Sequence, residues 1–170
     1  MTLAFKEWAQ IVDALGKGKQ SIVIRKGGIS EEEGDFIVKG KKFLLFPTLF
    51  HQAEEKIKPQ WLPFLKGDNF HSSDNKVTIR YFAEVADSKL IKDWETIHKL
   101  DNWHAWKEEV MKEKFTRWEN GAHLMVLQVF ELPTPIELEL LPEYGGCKSW
   151  IEIDQDINLV GKPVINKTII

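Results

Sequence analysis

Three groups of side chains in this chain are of a type and spacing that could do chemistry. His51 and Gln52 close the apolar run FLLFPTLF. With Glu7 they form a polar set in which a near-neutral imidazole could act as acid or base at the rim of a pocket. Capping or satisfying the core is the plainer use of that histidine. Cys147 stands in YGGCKSW beside Lys148. A thiolate next to a lysine is a nucleophile in principle, although a free cysteine more commonly serves as a small buried hydrophobe. Arg25-Lys26-Gly27-Gly28 follows an apolar run, the place for an anion-gripping turn. It lacks the spacing of a nucleotide-binding loop, and Glu31, Glu32 and Glu33 follow at once.

Other signatures fail on spacing. The five histidines stand at positions 51, 71, 98, 104 and 123, and none makes a His-x-x-x-His pair. With one cysteine there is no zinc pattern, so no metal and no cofactor is expected. Acid-x-Lys triplets of the kind metal-dependent nucleases use begin at Glu54, Asp74 and Asp87. That number does not exceed what composition alone would produce. Residues 103–118 interleave Trp103, Trp106, Phe115 and Trp118 with Lys107, Lys112, Lys114 and Arg117. Aromatic rings beside cations are how single-stranded nucleic acid is gripped, and the same rings at helical spacing also describe a packed face.

These groups must be positioned by the surrounding elements. Phe5, Trp8, Ile11, Val12 and Leu15 have helical spacing, predicting a helix over 3–15 with Gly16 as its stop. SIVIRKGG reads as a strand entering a turn, and DFIVKGKKFLLFP as two strands about Lys39-Gly40-Lys41, with Pro47 ending the second. HQAEEKIKPQWLPFL reads as a short helix followed by loop. The polar stretch 66–75 is the best internal boundary. KVTIRYFAEVA alternates as a strand. Helices are expected over 88–99 and 103–118, then strands in HLMVLQVFELP, PIELELLP and SWIEI. Residues 154–170 read as a tail with room for one added strand. The fold class is α+β: a mostly antiparallel sheet, or a small partly open barrel, with three to four helices. The domain reading is one unit over 1–153, with 1–66 and 76–153 as its lobes.

Composition bounds the rest. The 170 residues carry 23 Lys/Arg and 26 Asp/Glu, a net charge of -3, which excludes a generally cationic chain. The balance is uneven. Residues 1–85 hold 13 basic and 11 acidic residues and 86–170 hold 10 and 15, giving +2 and -5. One cysteine, no basic-then-apolar leader in MTLAFKEWAQ and no long apolar stretch together suggest a soluble protein of the cytoplasm with no membrane partner.

FKEWAQIVDALGKGKQSIVIRKGGI, FLLFPTLFHQ, LMVLQVFELPTPIEL and YGGCKSWIEI, in this order and spacing, resemble the bacterial family catalogued as domain of unknown function 1802. The resemblance covers roughly residues 4–153. Its recurring positions match Lys6 to Trp8, Arg25 to Gly28, Phe46 to Thr48, His51 with Gln52, and Cys147 to Trp150. It implies an association with restriction or DNA handling and carries over no catalytic residues. The second half is also similar in outline to small barrels of the PUA-like group, which bind RNA or modified bases. The leading expectation is a nucleic-acid-associated accessory or binding module, for DNA or RNA. Its contacts would be Arg25, Lys26, Lys41, Lys42, Lys114 and Arg117. The alternatives are an enzyme with a polar pocket around His51, Gln52 and Glu7 or using Cys147, and an interaction module such as a homodimer, for which seven tryptophans would supply contact area.

Overall fold

The computed structural model describes residues 1–26, 37–49, 53–65, 70–72 and 74–167. The expected turn at Gly27-Gly28, the acidic Glu31 to Glu33, and both His51 and Gln52 lie outside the described residues.

Among the described residues seven strands form one sheet: β1 (Thr2–Trp8), β2 (Ile22–Arg25), β3 (Lys42–Thr48), β4 (Lys76–Ile91), β5 (Ala122–Glu139), β6 (Trp150–Ile153) and β7 (Lys162–Pro163). The order is β2-β5-β4-β3-β1-β6, with β7 also on β5. Only β1 and β3 pair in parallel among these; the other ladders are antiparallel. Four helices among the described residues accompany the sheet: α1 (Ala9–Gly16), α2 (Ala53–Lys56), α3 (Trp94–Lys99) and α4 (Glu108–Thr116). This is the expected α+β class with a mostly antiparallel sheet. The sheet also curls. Arg25, at the end of edge strand β2, donates to the Ser149 hydroxyl at 2.6 Å, next to the opposite edge strand β6. The two edges therefore approach one another, as in a partly open barrel.

The first segment differs from expectation. Residues 2–8 are a strand, and only 9–16 are helical. β1 is buried on both faces between β3 and β6, so its two-residue period is hidden and its apolar spacing matches a helix by accident. The expected hairpin at Lys39-Gly40-Lys41 is also absent. Residues 37–40 are not in a strand, because β1 and β4 already occupy both edges of β3. Pro47 lies within β3, one residue before its end. Residues 88–91 extend β4 instead of starting a helix, since Ser88 to Ile91 pair with Met125 to Ala122. HLMVLQVFELP and PIELELLP join into the single strand β5. Pro133 and Pro135 sit where the β4–β5 ladder is interrupted, so their missing N–H groups break no ladder bond. α4 is shorter than the expected 103–118, and Trp103 belongs to a separate 3-10 turn.

The core lies against the sheet in two clusters, one centred on Phe5, Phe43 and Trp150, the other on Phe82, Ile79 and Leu138. Trp150 is buried and its indole N–H donates to the Ile37 carbonyl at 2.7 Å. No helix among the described residues is long and apolar enough to cross a membrane.

Candidate nucleic-acid interface

β1, β2 and β3 all end at the same place. Trp8 stands opposite Thr48 in the parallel pair. Arg25 ends β2, and the 145–149 loop leads into β6 beside them. Between these ends and α4 lies a cleft of about 570 Å³. Six cations line it: Lys6, Arg25, Lys26, Lys114, Arg117 and Lys148. Trp8, Phe46, His71 and Tyr144 supply ring surface, and Cys147 and Ser149 supply polar atoms on the loop side.

Each cation is held differently. Arg25 lies 5.0 Å over the Phe5 ring, bonds Ser149, and pairs with Glu7 at 3.3 Å. Glu7 is 3% exposed and also accepts from the Trp8 backbone N–H at 2.8 Å. Its carboxylate therefore holds Arg25 and the end of β1. Lys26 donates to the carbonyls of Phe115 and Gly121, at 3.3 and 2.7 Å, and to that of Glu119. It clips the connection between α4 and β5 while lining the cleft. Lys6 donates to the Gly146 carbonyl at 2.9 Å. Burial lowers its pKa below the ordinary lysine value, and the charge of Lys148 adds to that effect. Gly146 takes a φ of +83°, which glycine adopts without strain, so the loop turns with its carbonyl toward Lys6. Arg117 is exposed and pairs with Glu113 at 3.2 Å. His71 has its pKa lowered by burial, partly offset by a hydrogen bond with the Pro47 backbone, so its ring is neutral near pH 7.

Four of the six sequence-predicted contacts, Arg25, Lys26, Lys114 and Arg117, thus meet in one cleft. Lys41 and Lys42 stand apart from it. Lys42 pairs with Glu84 at 3.1 Å and lies 5.1 Å over the Phe82 ring. Cys147 is exposed on the cleft wall, not buried as a small hydrophobe. The aromatic residues of 103–118 divide: Trp106 and Phe115 are core, while Trp103 and Trp118 face solvent. Sequence chemistry alone missed Lys6 and Lys148. Lys6 interrupts an apolar strand and Lys148 sits in a turn, and a single lysine in either place carries no spacing signal. Yet the segments that carry the family resemblance (Lys6 with Trp8, Arg25 with Lys26, Phe46 to Thr48, Cys147 to Ser149) all contribute to this wall.

In fold the protein is similar to a serine-to-alanine mutant of the ZmASCH protein from Zymomonas mobilis, at 10% identity and a TM-score of 0.53, covering 90% of this chain and 88% of that one. ASCH from the same organism aligns at 12% identity, a TM-score of 0.49, and 90% and 87% coverage. The first of these is a likeness of fold alone. No curated protein matches the chain in sequence. The sequence profile of the Domain of unknown function (DUF1802) matches residues 4–169. The chain is therefore a member of the DUF1802 family.

Proposed function

We propose that this protein is a nucleic-acid-binding module and that the cleft at the ends of β1, β2 and β3 is its contact surface. The observation that carries this reading is six cations around one ring-walled cleft in a chain whose net charge is -3. So local a concentration of positive charge, interleaved with rings that bases can stack on, suits an unpaired strand. A cleft of about 570 Å³ favours an unpaired strand over a duplex. The fold likeness to the ASCH protein agrees with the resemblance to PUA-like barrels. The link to restriction or DNA handling, which the family resemblance implies, and a site of action in the cytoplasm, which the single cysteine suggests, belong to this proposal.

The test is fluorescence anisotropy with labelled single-stranded RNA, single-stranded DNA and duplex DNA at about 50 and 200 mM salt, a range over which phosphate-driven binding changes by orders of magnitude. Single strands should bind and weaken steeply with salt. Lys148→Ala combined with Arg117→Ala should lower the affinity and reduce the salt slope by about one for each phosphate that is no longer neutralised. Lys41→Ala with Lys42→Ala should leave both unchanged. Absence of binding at low salt, where electrostatic attraction is strongest, would refute the reading. Lys26 is a poor probe because its removal would also free the α4–β5 connection.

A further inference from the structure

A side chamber of about 190 Å³ opens off the cleft and shares Trp8, Lys26, Lys114 and Arg117 with it. Resting on the nucleic-acid reading of the main cleft, we propose that this chamber seats a terminal phosphate, the monoester that ends a phosphorylated strand or a free nucleotide, with Lys114 as its principal contact.

The argument starts from an ammonium with nothing to hold. Lys114 keeps some exposed surface as a residue, but its charged end is crowded by protein. It lies 4.7 Å from the centre of the Trp106 ring. Among the described residues it has no hydrogen-bond acceptor and no carboxylate within ion-pair distance. The two other well-buried lysines are satisfied: Lys6 by the Gly146 carbonyl, and Lys58 by the carbonyls of Asp101 and His104 with the Asp101 carboxylate. A withdrawn cation without acceptors is costly unless an anion arrives to pair with it.

The surroundings favour an anion of more than one charge. Lys56 sits 5.5 Å over the Trp8 ring, which meets Trp106 edge-on at 4.8 Å. Arg117 and Arg25 add their charges from the end of α4 and from β2. Opposing them are Glu113, on Arg117, and Glu7, on Arg25. The balance around Lys114 is positive, and burial first, then the cations Arg25, Lys56 and Arg117 acting against Glu7, push its pKa down to about 8. A dianion would reverse that. The size of the chamber separates a strand end from a passing strand. It is smaller than the roughly 300 Å³ at which pockets begin to hold drug-sized ligands. A phosphate fits, whereas a chain continuing through it does not. The attached nucleotide would then extend past Trp8 into the main cleft.

The experiment uses the full chain and labelled hexanucleotides carrying a 5′-phosphate, a 3′-phosphate or neither, at pH 7 and pH 9.5, with nucleoside monophosphates as competitors. One phosphorylated form should bind at least 10-fold more tightly than the unphosphorylated one at pH 7. That preference should shrink toward unity at pH 9.5, where the free Lys114 amine has lost its proton while the phosphate stays a dianion. Lys114→Gln should abolish the preference at both pH values. Lys114→Arg, which keeps the charge and does not titrate in this range, should retain it at both. Competition by a free monophosphate at comparable affinity would identify nucleotides as the source; its failure would identify strand ends. Equal binding of all three oligonucleotides overturns the terminal-phosphate site and leaves the nucleic-acid reading standing. A preference that survives in Lys114→Gln overturns the role of Lys114. No binding by any of them overturns the underlying reading itself.

Discussion

Two lysines in this fold work as clips. Lys26 gathers three carbonyls at the end of α4, and Lys58 gathers the Asp101 and His104 carbonyls, the second at 2.9 Å. The second clip has a consequence for acid stability, because it holds His104 in the interior at 2% exposure. Burial, reinforced by the charge of Lys58, pushes the His104 pKa from the ordinary 6.5 down to about 3. Its ring is thus neutral in the folded protein, whereas the unfolded chain takes up a proton as pH falls below about 6.5. The contribution of His104 to stability is therefore complete above pH 6.5 and is lost progressively as pH falls toward 3. The slope approaches about 1.4 kcal/mol per pH unit. Urea unfolding at pH 7, 6, 5 and 4 measures this slope. In His104→Gln it should flatten toward the contribution of the remaining groups, whatever the variant loses in absolute stability. An unchanged slope would show that His104 is not the group that titrates.

At the scale of elements, what could be read from sequence depended on whether an element shows one face or two to the core. β4 presents an alternating burial pattern over its first residues, and the sequence alternation of KVTIRYFAEVA marked it. β1 has both faces covered, and its period was lost into an apparent helix. The missed continuation of β4 through Ser88 to Ile91 has another cause: those residues are mostly exposed and are held as strand by their ladder to β5, which no local pattern reports. The same holds for the C-terminal segment, read as a tail with one added strand. β7 pairs with β5, the Val164 N–H donates to the Val129 carbonyl, and the Lys167 N–H donates to the Gly18 carbonyl at 2.6 Å. Gly18 is the sensitive point of this docking. It takes a φ of +71°, and a Cβ built there would collide with the Ile165 carbonyl oxygen. Gly18→Ala is expected to cost about 1–2 kcal/mol from the backbone conformation alone, and the collision must be relieved by moving the segment away. Limited proteolysis should then cut within 161–167 at least ten times faster than in the unaltered protein. Equal cleavage rates would mean that β7 and its flanks hold without this contact.

For the molecule as a whole, the cleft coincides with the place where the sheet nearly closes. The central pair β4–β5 is the longest ladder, and the ends of the order, β2 and β6, meet where the Arg25 side chain bonds Ser149 in the loop before β6. This explains why the site was only partly visible in sequence. Arg25, Lys26, Lys114 and Arg117 were recognisable as cations next to turns and rings, but what brings them to Lys6 and Lys148 is the curl of the sheet, a property of no single segment. On the proposed reading of the cleft, ligand binding and closure of this seam would be one event. A strand lying in the main cleft, lined by Arg25 on the β2 side, Lys148 on the β6 side and Lys114 on α4, would bridge the seam. An oligonucleotide at about 100 times its Kd would stabilise the folded protein by about 2.7 kcal/mol. The gain should be distributed unevenly. Hydrogen exchange should slow most at the Lys6 amide, which donates to the Ser149 carbonyl at 2.8 Å, and through 145–149. Amides in the middle of β4 and β5, which open only with global unfolding, should slow by no more than the overall gain in stability. Protection confined to the β4–β5 ladder, with none at Lys6 or the 145–149 loop, would place the ligand elsewhere and leave the seam without a binding role.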